Sequence, residues 1–129
     1  MSTATITPQQ TTRRPVPLAA RVALGAAGLA AFAGAVATIG LLAPALWLVP
    51  DLTMLAGLGP DMPRDGRMAP RAVPFYNAAH ALIGPLALTA AGIVAGPVVL
   101  GLGLTWLSHV LIDRAVGYGL RTPEGLQRG

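Results

Sequence analysis

Lysine and cysteine are absent from this sequence, and charged and aromatic side chains are both scarce. Without cysteine the chain has no disulfide, no reactive thiol and no thiolate ligand for a metal. Charged residues occupy 11% of the 129 positions, compared with about 25% in a soluble domain. Although the pI is near 11.2, no run of arginines is interleaved with stacking aromatic rings, so we expect no nucleic-acid partner.

Long apolar runs take the place of charge. Hydrophobic residues make up 53% of the chain, and its mean hydropathy is +0.62. No Asp, Glu or Arg occurs between residues 22 and 50 or between residues 72 and 112. Because one spanning helix takes about 20 residues, each run holds two helices, divided by Gly40 and Pro44 in the first run and by Gly96-Pro97 in the second. This pattern predicts an all-α integral membrane four-helix bundle with the lipid bilayer as its partner.

The predicted helices lie near residues 18–40, 44–60, 72–95 and 97–120, within a transmembrane domain at 18–122. Residues 1–17 are rich in Thr, Gln and Pro and are predicted to form a disordered N-terminal tail. Residues 123–129 are predicted to form a short cytoplasmic tail.

All nine basic residues fall outside the two loops that four spans would place on the far side of the membrane. They lie before the first helix or at its start, between the second and third helices, and from the end of the fourth onward: Arg13, Arg14, Arg21, Arg64, Arg67, Arg71, Arg114, Arg121 and Arg128. Arginine-bearing loops stay in the cytoplasm. The predicted topology is therefore N-in/C-in.

Small residues recur at four-residue spacing in the first helix, at Ala26, Ala30 and Gly34. Such a stripe lets helix backbones approach closely in lipid. It serves either packing within the bundle or the formation of a homo-oligomer.

Several polar side chains occupy positions where apolar residues would be less costly in lipid, and such residues face the bundle interior. At a rise of about 1.5 Å per residue, three predicted helices bring them to one layer in the cytoplasmic half. The members of this polar layer are Asp51, Tyr76, Asn77, His80, His109, Asp113 and Arg114. Pro50 and Pro85 also each remove one helical hydrogen bond near this layer.

Two imidazoles and two carboxylates form a plausible ligand set for one divalent metal ion such as zinc. The candidate ligands are Asp51, His80, His109 and Asp113, with Asn77 or Tyr76 beside them. The alternatives are a hydrogen-bonded network of Asp–His and Asp–Arg pairs that fixes the helix register, and a path for protons or ions. No residue is assigned a catalytic role on this basis.

Three blocks in this order carry a family resemblance. They are Pro50-Asp51-Leu52-Thr53-Met54-Leu55, Tyr76-Asn77-Ala78-Ala79-His80, and Trp106-Leu107-Ser108-His109 continuing through Asp113-Arg114 to Gly117-Tyr118-Gly119-Leu120. Over about residues 20–123 the sequence resembles a small bacterial four-helix membrane family known only as a domain of unknown function, family forty-two sixty. The resemblance implies a multi-pass protein of the bacterial inner (cytoplasmic) membrane and implies no activity. Ser108 stands where the family usually has Ala.

Three functions are consistent with these features. The first is an inner-membrane protein whose buried Asp/His/Asn layer binds an ion or holds the bundle in register. The second is a membrane-embedded metal-dependent hydrolase that acts on a lipid-like substrate. The third is a small proton-coupled carrier.

Overall fold

The computed structural model describes residues 15–128, and within them the chain is all-helical, as predicted. It contains α1 (Leu18–Ile39), α2 (Leu42–Leu46), a 3-10 helix (Val49–Gly57), a short 3-10 turn (Pro70–Ala72), α3 (Val73–His80), α4 (Ile83–Ala95) and α5 (Pro97–Val116). These form four helical stretches, because α2 continues into the 3-10 helix and α3 into α4. Three of the four, Leu18–Ile39, Pro70–Ala95 and Pro97–Val116, are long and apolar enough to cross a membrane.

The α1–α5 pair is antiparallel and packs through small residues. Gly25 of α1 lies against Ala115, Gly28 lies against Ile112, and Gly34 lies against Leu104. A Cβ at Gly28 would lie 2.8 Å from the Ile112 side chain and 3.3 Å from its backbone nitrogen, so the close approach of the two backbones depends on glycine at this position. Ala26 and Ala30 are exposed, so the predicted small-residue stripe meets α5 through Gly34, and the homo-oligomer stays a prediction.

Glycines in the left-handed region mark both ends of α5. Gly96, with φ of 109°, forms the tight turn between α4 and α5, a backbone conformation that other residues rarely adopt. Gly117, with φ of 104°, ends α5, and its N–H donates to the carbonyl of Asp113. This left-handed cap stops the helix before residue 120, the end expected from hydropathy.

The second helical stretch changes type halfway. It begins as α2 at Leu42, and after Trp47 and Leu48 it continues as a 3-10 helix to Gly57. Pro50 has no N–H to donate to the carbonyl of Leu46, so the α-helical pattern cannot continue through this point. The stretch, Leu42–Gly57, is shorter than the other three. A 3-10 helix rises about 2.0 Å per residue, so its residues span a greater length than the same number in an α-helix.

The third helical stretch is broken inside the membrane-length segment. Residue Ala81 leaves the helical conformation, with ψ of 137°, and α4 begins at Ile83. Pro85 cannot donate to the carbonyl of Ala81, and its ring would clash with that carbonyl in a continuous helix. His80 therefore lies at the end of a helix rather than within one.

Polarity is inverted relative to a water-soluble protein. The largest fully buried side chains include His80, His109 and Ser108, whereas Val94 is 92% exposed and Ile93 is 77% exposed. Apolar side chains on the outside and polar ones inside are expected when the surroundings are lipid.

The described arginines lie at one end of the bundle. Arg21 at the start of α1 donates to the carbonyl of Ala115 at the end of α5, and Arg71 donates to the carbonyls of residues 56–58 at the end of the 3-10 helix. The assignment of this end to the cytoplasm stays a prediction. Arg13 and Arg14, like most of the predicted N-terminal tail, lie outside the described residues.

The predicted C-terminal tail folds back onto this same end. The N–H of Arg128 donates to the carbonyl of Leu120, and the N–H of Met68 donates to the carbonyl of Gly125. An isolated β-bridge pairs Arg121 with Gln127. The segment after α5 therefore packs against the loop between residues 58 and 69.

A candidate metal centre

Four ionisable side chains from three helical stretches meet at one point. Asp51 comes from the 3-10 helix, His80 is the last residue of α3, and His109 and Asp113 lie four residues apart on α5. Each offers one nitrogen or oxygen atom, and these atoms all lie within 4.8 Å of one another.

Five of the six distances among these atoms lie between 3.2 and 3.6 Å, and the two carboxylate oxygens lie within 4.8 Å of each other. Nε2 of His80 lies 3.2 Å from Oδ1 of Asp51, 3.6 Å from Oδ2 of Asp113 and 3.2 Å from Nε2 of His109. Nε2 of His109 lies 3.4 Å from Oδ1 of Asp51 and 3.5 Å from Oδ2 of Asp113. In a regular tetrahedron with bonds of about 2.0–2.1 Å, as zinc makes to nitrogen and oxygen, the edges are about 3.3–3.4 Å.

The backbone determines which nitrogen of His80 faces the cluster as an acceptor. Nδ1 of His80 lies 2.9 Å from the carbonyl oxygen of Tyr76. A carbonyl can only accept, so Nδ1 carries the hydrogen and Nε2 of the neutral ring presents its lone pair. This lone pair faces two carboxylates and a second imidazole, an arrangement that a bound cation, or a proton on one of these groups, would satisfy.

The imidazoles of the cluster are fully buried, and the carboxylates are partly exposed. The side chains of His80 and His109 are 0% and 1% exposed, whereas those of Asp51 and Asp113 are 31% and 17% exposed. A cavity of about 300 Å³ borders the carboxylates and is also lined by Met54, Tyr76, Tyr118 and Arg121. The cluster is therefore approached from its acidic side.

The helix break beside His80 is held by side-chain donors from α5. Trp106 donates from Nε1 to the carbonyl of Ala79 at 2.6 Å, and Arg114 donates from Nη2 to the carbonyl of His80 at 2.8 Å. The last carbonyls of a helix have no partner within it and need such donors when water is excluded. The same two contacts fix the position of His80 relative to α5.

Tyr76 and Asn77, both predicted members of the polar layer, are placed differently. The ring of Tyr76 stacks on His80, with centroids 3.9 Å apart and an interplanar angle of 17°. Asn77 instead faces the C-terminal segment, donating to the carbonyl of Arg121 at 2.9 Å and accepting from its N–H at 2.7 Å. Asn77 therefore anchors the chain after α5, while Tyr76 supports the cluster directly.

Two residues near the cluster were not predicted to belong to it. Trp47 packs edge-on against His109, with centroids 4.9 Å apart, and donates from Nε1 to Oγ of Ser108 at 3.1 Å. Trp47 lies four residues before Asp51, and this spacing would place the two on one face of a continuous α-helix, a signal that was available in the sequence. Arg121 lines the cavity with its guanidinium 5.7 Å from the centre of the Tyr76 ring, and its role depends on the fold-back after α5.

Nδ1 of His109 is buried and has no hydrogen-bond partner among the described residues. An unpaired buried polar group costs about 1–3 kcal/mol, and native cores contain few of them. The polar contacts of the His109 ring are therefore made by Nε2 alone, the nitrogen that faces the cluster.

Comparison with known proteins places the chain in a family. The model of a domain of unknown function, DUF4260, matches residues 19–129. No curated protein and no solved structure matches the chain significantly. The match covers most of the chain and all four residues of the cluster, so the protein belongs to the DUF4260 family of domains of unknown function.

Proposed function

We propose that this protein binds one divalent transition-metal ion, best matched by Zn²⁺, between the side chains of Asp51, His80, His109 and Asp113. The site lies within a bundle of apolar helices in the bilayer. The observation that carries the proposal is that each histidine Nε2 lies 3.2–3.6 Å from the other and from both carboxylates, close to the edge lengths of a zinc tetrahedron. The ion would tie the 3-10 helix and α3 to α5.

Charge balance favours a metal over a network of hydrogen bonds alone. With Nδ1 of His80 donating to Tyr76, a neutral cluster leaves the lone pair of Nε2 against carboxylate oxygens at 3.2 and 3.6 Å. One shared proton cannot satisfy all of these contacts. A dication satisfies every one of them and neutralises both carboxylates, which removes most of the cost of burying them in lipid.

The donor atoms favour zinc among the common metal ions. Zinc binds nitrogen and oxygen ligands tetrahedrally, and imidazole ligands suit zinc, copper, iron and nickel rather than magnesium or calcium. Magnesium and calcium take six or more oxygen ligands, and two of the four atoms here are nitrogens.

The arginine distribution supports an N-in/C-in topology in a bacterial cytoplasmic membrane, with the metal site in the cytoplasmic half. The chain has no native cysteine, so a single introduced thiol reports topology without background. Labelling of an Asp65→Cys variant by a membrane-impermeant maleimide added outside intact cells would contradict this orientation.

Metal analysis of the purified protein tests the proposal. The protein is purified in detergent with any histidine tag removed, and its metal content is measured by mass spectrometry. We expect about one equivalent of metal, and four-coordinate visible absorption when Co²⁺ replaces it. His80→Gln, His109→Gln and Asp113→Asn should each reduce the metal affinity by about 100-fold or more.

Asp61→Asn is the matched control, since its carboxylate lies in the loop and is 87% exposed. It should retain the full equivalent. A wild-type protein that takes up no zinc, cobalt, iron or manganese under these conditions refutes the proposal. Loss of metal in the control to the same degree as in the ligand variants also refutes the site.

A hydrolytic role is the second candidate, and the cavity beside the carboxylates favours it. Asp51 and Asp113 line this cavity together with Arg121, so a water could reach the metal from this side and an anionic substrate group could face the guanidinium. A metal-bound water is deprotonated far more readily than bulk water. Full metal loading without hydrolysis of amphiphilic esters or phosphodiesters in micelles would count against this candidate and favour a structural ion.

A further inference from the structure

A second and larger cavity lies at the arginine-bearing end of the bundle, where the start of α1 meets the end of α5. It measures about 600 Å³, within the range of ligand-binding cavities. Three arginines line it, Arg21, Arg114 and Arg128, and the rest of its wall includes Val16, Leu24 and Tyr118. We refer to this cavity as the arginine groove.

The three positive charges of the arginine groove are not compensated by ion pairs within residues 15–128. Arg21 donates from Nε to the carbonyl of Ala115, and Arg114 donates to the carbonyls of Tyr118 and His80. These acceptors are uncharged. They orient the two side chains, and neither terminal amino group of Arg21 has a hydrogen-bond partner among residues 15–128.

Glu124 is an acidic residue whose pKa is lowered in part by Arg128 of the arginine groove. A hydrogen bond from its own backbone N–H, a second from Thr122 and, more weakly, the charge of Arg128 hold the pKa of Glu124 below its usual value. Glu124 is therefore ionised at neutral pH, but it makes no ion pair with Arg128 within 4.0 Å. One exposed carboxylate does not offset three cations.

The position of the groove in the bundle indicates the kind of anion. It opens at the ends of two membrane-length helices, where lipid phosphates lie. Next to it on α1, Leu18 is 75% exposed and Val22 is 62% exposed, which suits contact with acyl chains. Tyr118, half exposed on the groove wall, has the amphipathic ring that is common at this depth.

We propose that the arginine groove binds the phosphate of an anionic phospholipid, with the acyl chains lying along the exposed apolar face of α1. Guanidinium groups bind phosphate oxygens through paired N–H donors, and basic pockets at helix ends bind lipid headgroups. Arg114 and Tyr118 connect the groove to the metal centre: Arg114 supports His80, and Tyr118 also lines the smaller cavity. The proposal does not depend on a bound metal.

Lipid retention by the purified full-length protein tests this proposal. The protein is reconstituted in nanodiscs of equal parts phosphatidylglycerol and phosphatidylcholine, released into detergent, and examined by native mass spectrometry. We expect phosphatidylglycerol to be retained in preference to phosphatidylcholine. The Arg21→Gln/Arg128→Gln variant should retain at most about one tenth of the phosphatidylglycerol that the wild type retains.

Arg64→Gln/Arg67→Gln is the matched control, because it removes the same net charge from the loop and leaves the groove intact. It should retain phosphatidylglycerol within about twofold of the wild type. Equal losses in both double variants would overturn the proposal in favour of non-specific attraction. Equal retention of the two lipids would overturn it too.

A separate arm distinguishes a lipid from a soluble anion. Inorganic phosphate is added to the lipid-loaded protein, and bound phosphatidylglycerol is measured again. Retention of the lipid at millimolar phosphate supports a headgroup site with acyl-chain contacts. Displacement at such concentrations overturns the lipid assignment. Metal content is measured in parallel. Failure of the lipid test therefore leaves the metal proposal intact, and absence of metal leaves the lipid proposal intact.

Discussion

The α1–α5 pair and the segment between Leu42 and His80 bury their backbones in different ways. Both α1 and α5 are continuous helices whose N–H and carbonyl groups bond within each helix, and they meet through Gly25, Gly28 and Gly34. The segment from Leu42 to His80 changes from α-helix to 3-10 helix near Pro50 and ends at the helix break at Ala81. At that break, the carbonyls of Ala79 and His80 accept from the side chains of Trp106 and Arg114.

The difference shows where function can be placed in a small bundle. A continuous helix in lipid needs close packing and no polar partner. A broken helix needs donors for its free carbonyls, and these donors position the residue next to the break. His80 occupies that place, and Asp51 lies beside the other interruption. We infer that the breaks orient the metal ligands and that the α1–α5 pair provides a rigid support.

Metal removal should affect the broken segments far more than the continuous pair. A ligand present at about 1,000 times its dissociation constant stabilises the folded state by about 4 kcal/mol. After chelation, hydrogen exchange should become faster in Val49–Gly57 and Val73–His80 and change little in α1. Mass spectrometry of peptic peptides measures this difference.

Acidification should have the same effect as chelation. Protons compete with the metal for the imidazole nitrogens, so metal affinity falls as the pH is lowered from about 7.5 to about 5. Re-addition of zinc at neutral pH should restore slow exchange, and magnesium should not. An equal increase of exchange in α1 would contradict the division between the two regions.

Crowding the continuous helices should affect stability and leave metal binding unchanged. A methyl group at Gly103 would lie 2.5 Å from the backbone nitrogen and 2.7 Å from Cα of Thr89 on α4. Gly103→Ala should therefore destabilise the protein by about 1–3 kcal/mol, because backbone cannot move aside as a side chain can. The midpoint of unfolding in mixed micelles measures this loss, and metal stoichiometry should remain that of the wild type.

Gly34→Ala is the matched control on the same kind of surface. Its methyl would meet the end of the Leu104 side chain at 3.2 Å, which can rotate away. The two variants gain the same helix propensity, so the difference between them isolates the clash. Equal stability of the two would show that α4 and α5 do not need this close approach.

Much of this architecture is predictable because lipid imposes simple rules on a chain. Apolar run length and the Gly96-Pro97 turn predicted the helix pairs. Because the predicted helices contain few ionisable residues, the two histidines and Asp51 could be recognised as candidates for a buried site. Depth along straight helices also predicted that His80, His109 and Asp113 share a layer. The change to a 3-10 helix after Pro50 was not predicted, because the missing hydrogen bond allows a kink, a turn or a tighter helix.

The placement of Asn77 and Trp106 depends on contacts that sequence spacing does not specify. Asn77 is three residues from His80, so a face argument assigned it to the cluster, but the fold-back after α5 provides Arg121 as its partner. The donor for the carbonyl of Ala79 comes from Trp106, on another helix and 27 positions away. Pro85 predicts a free carbonyl at Ala81, whereas the carbonyls that receive side-chain donors are those of Ala79 and His80, and the donors depend on how the helices pack.

The smallest expected effect tests the link between a capped break and the metal site. Trp106→Phe retains an aromatic side chain on α5 and removes the Nε1 donor to the carbonyl of Ala79. Loss of an interaction that orients a ligand weakens metal binding by about tenfold, at the low end of such effects. Competition with a zinc chelator measures this change.

Ser108→Ala is the control, because it removes the hydrogen-bond acceptor of Trp47 beside His109. It should change the zinc affinity by less than about twofold, since Trp47 caps no helix break. If the two variants weaken zinc binding equally, aromatic packing around the histidines, rather than capping of the helix break, orients His80.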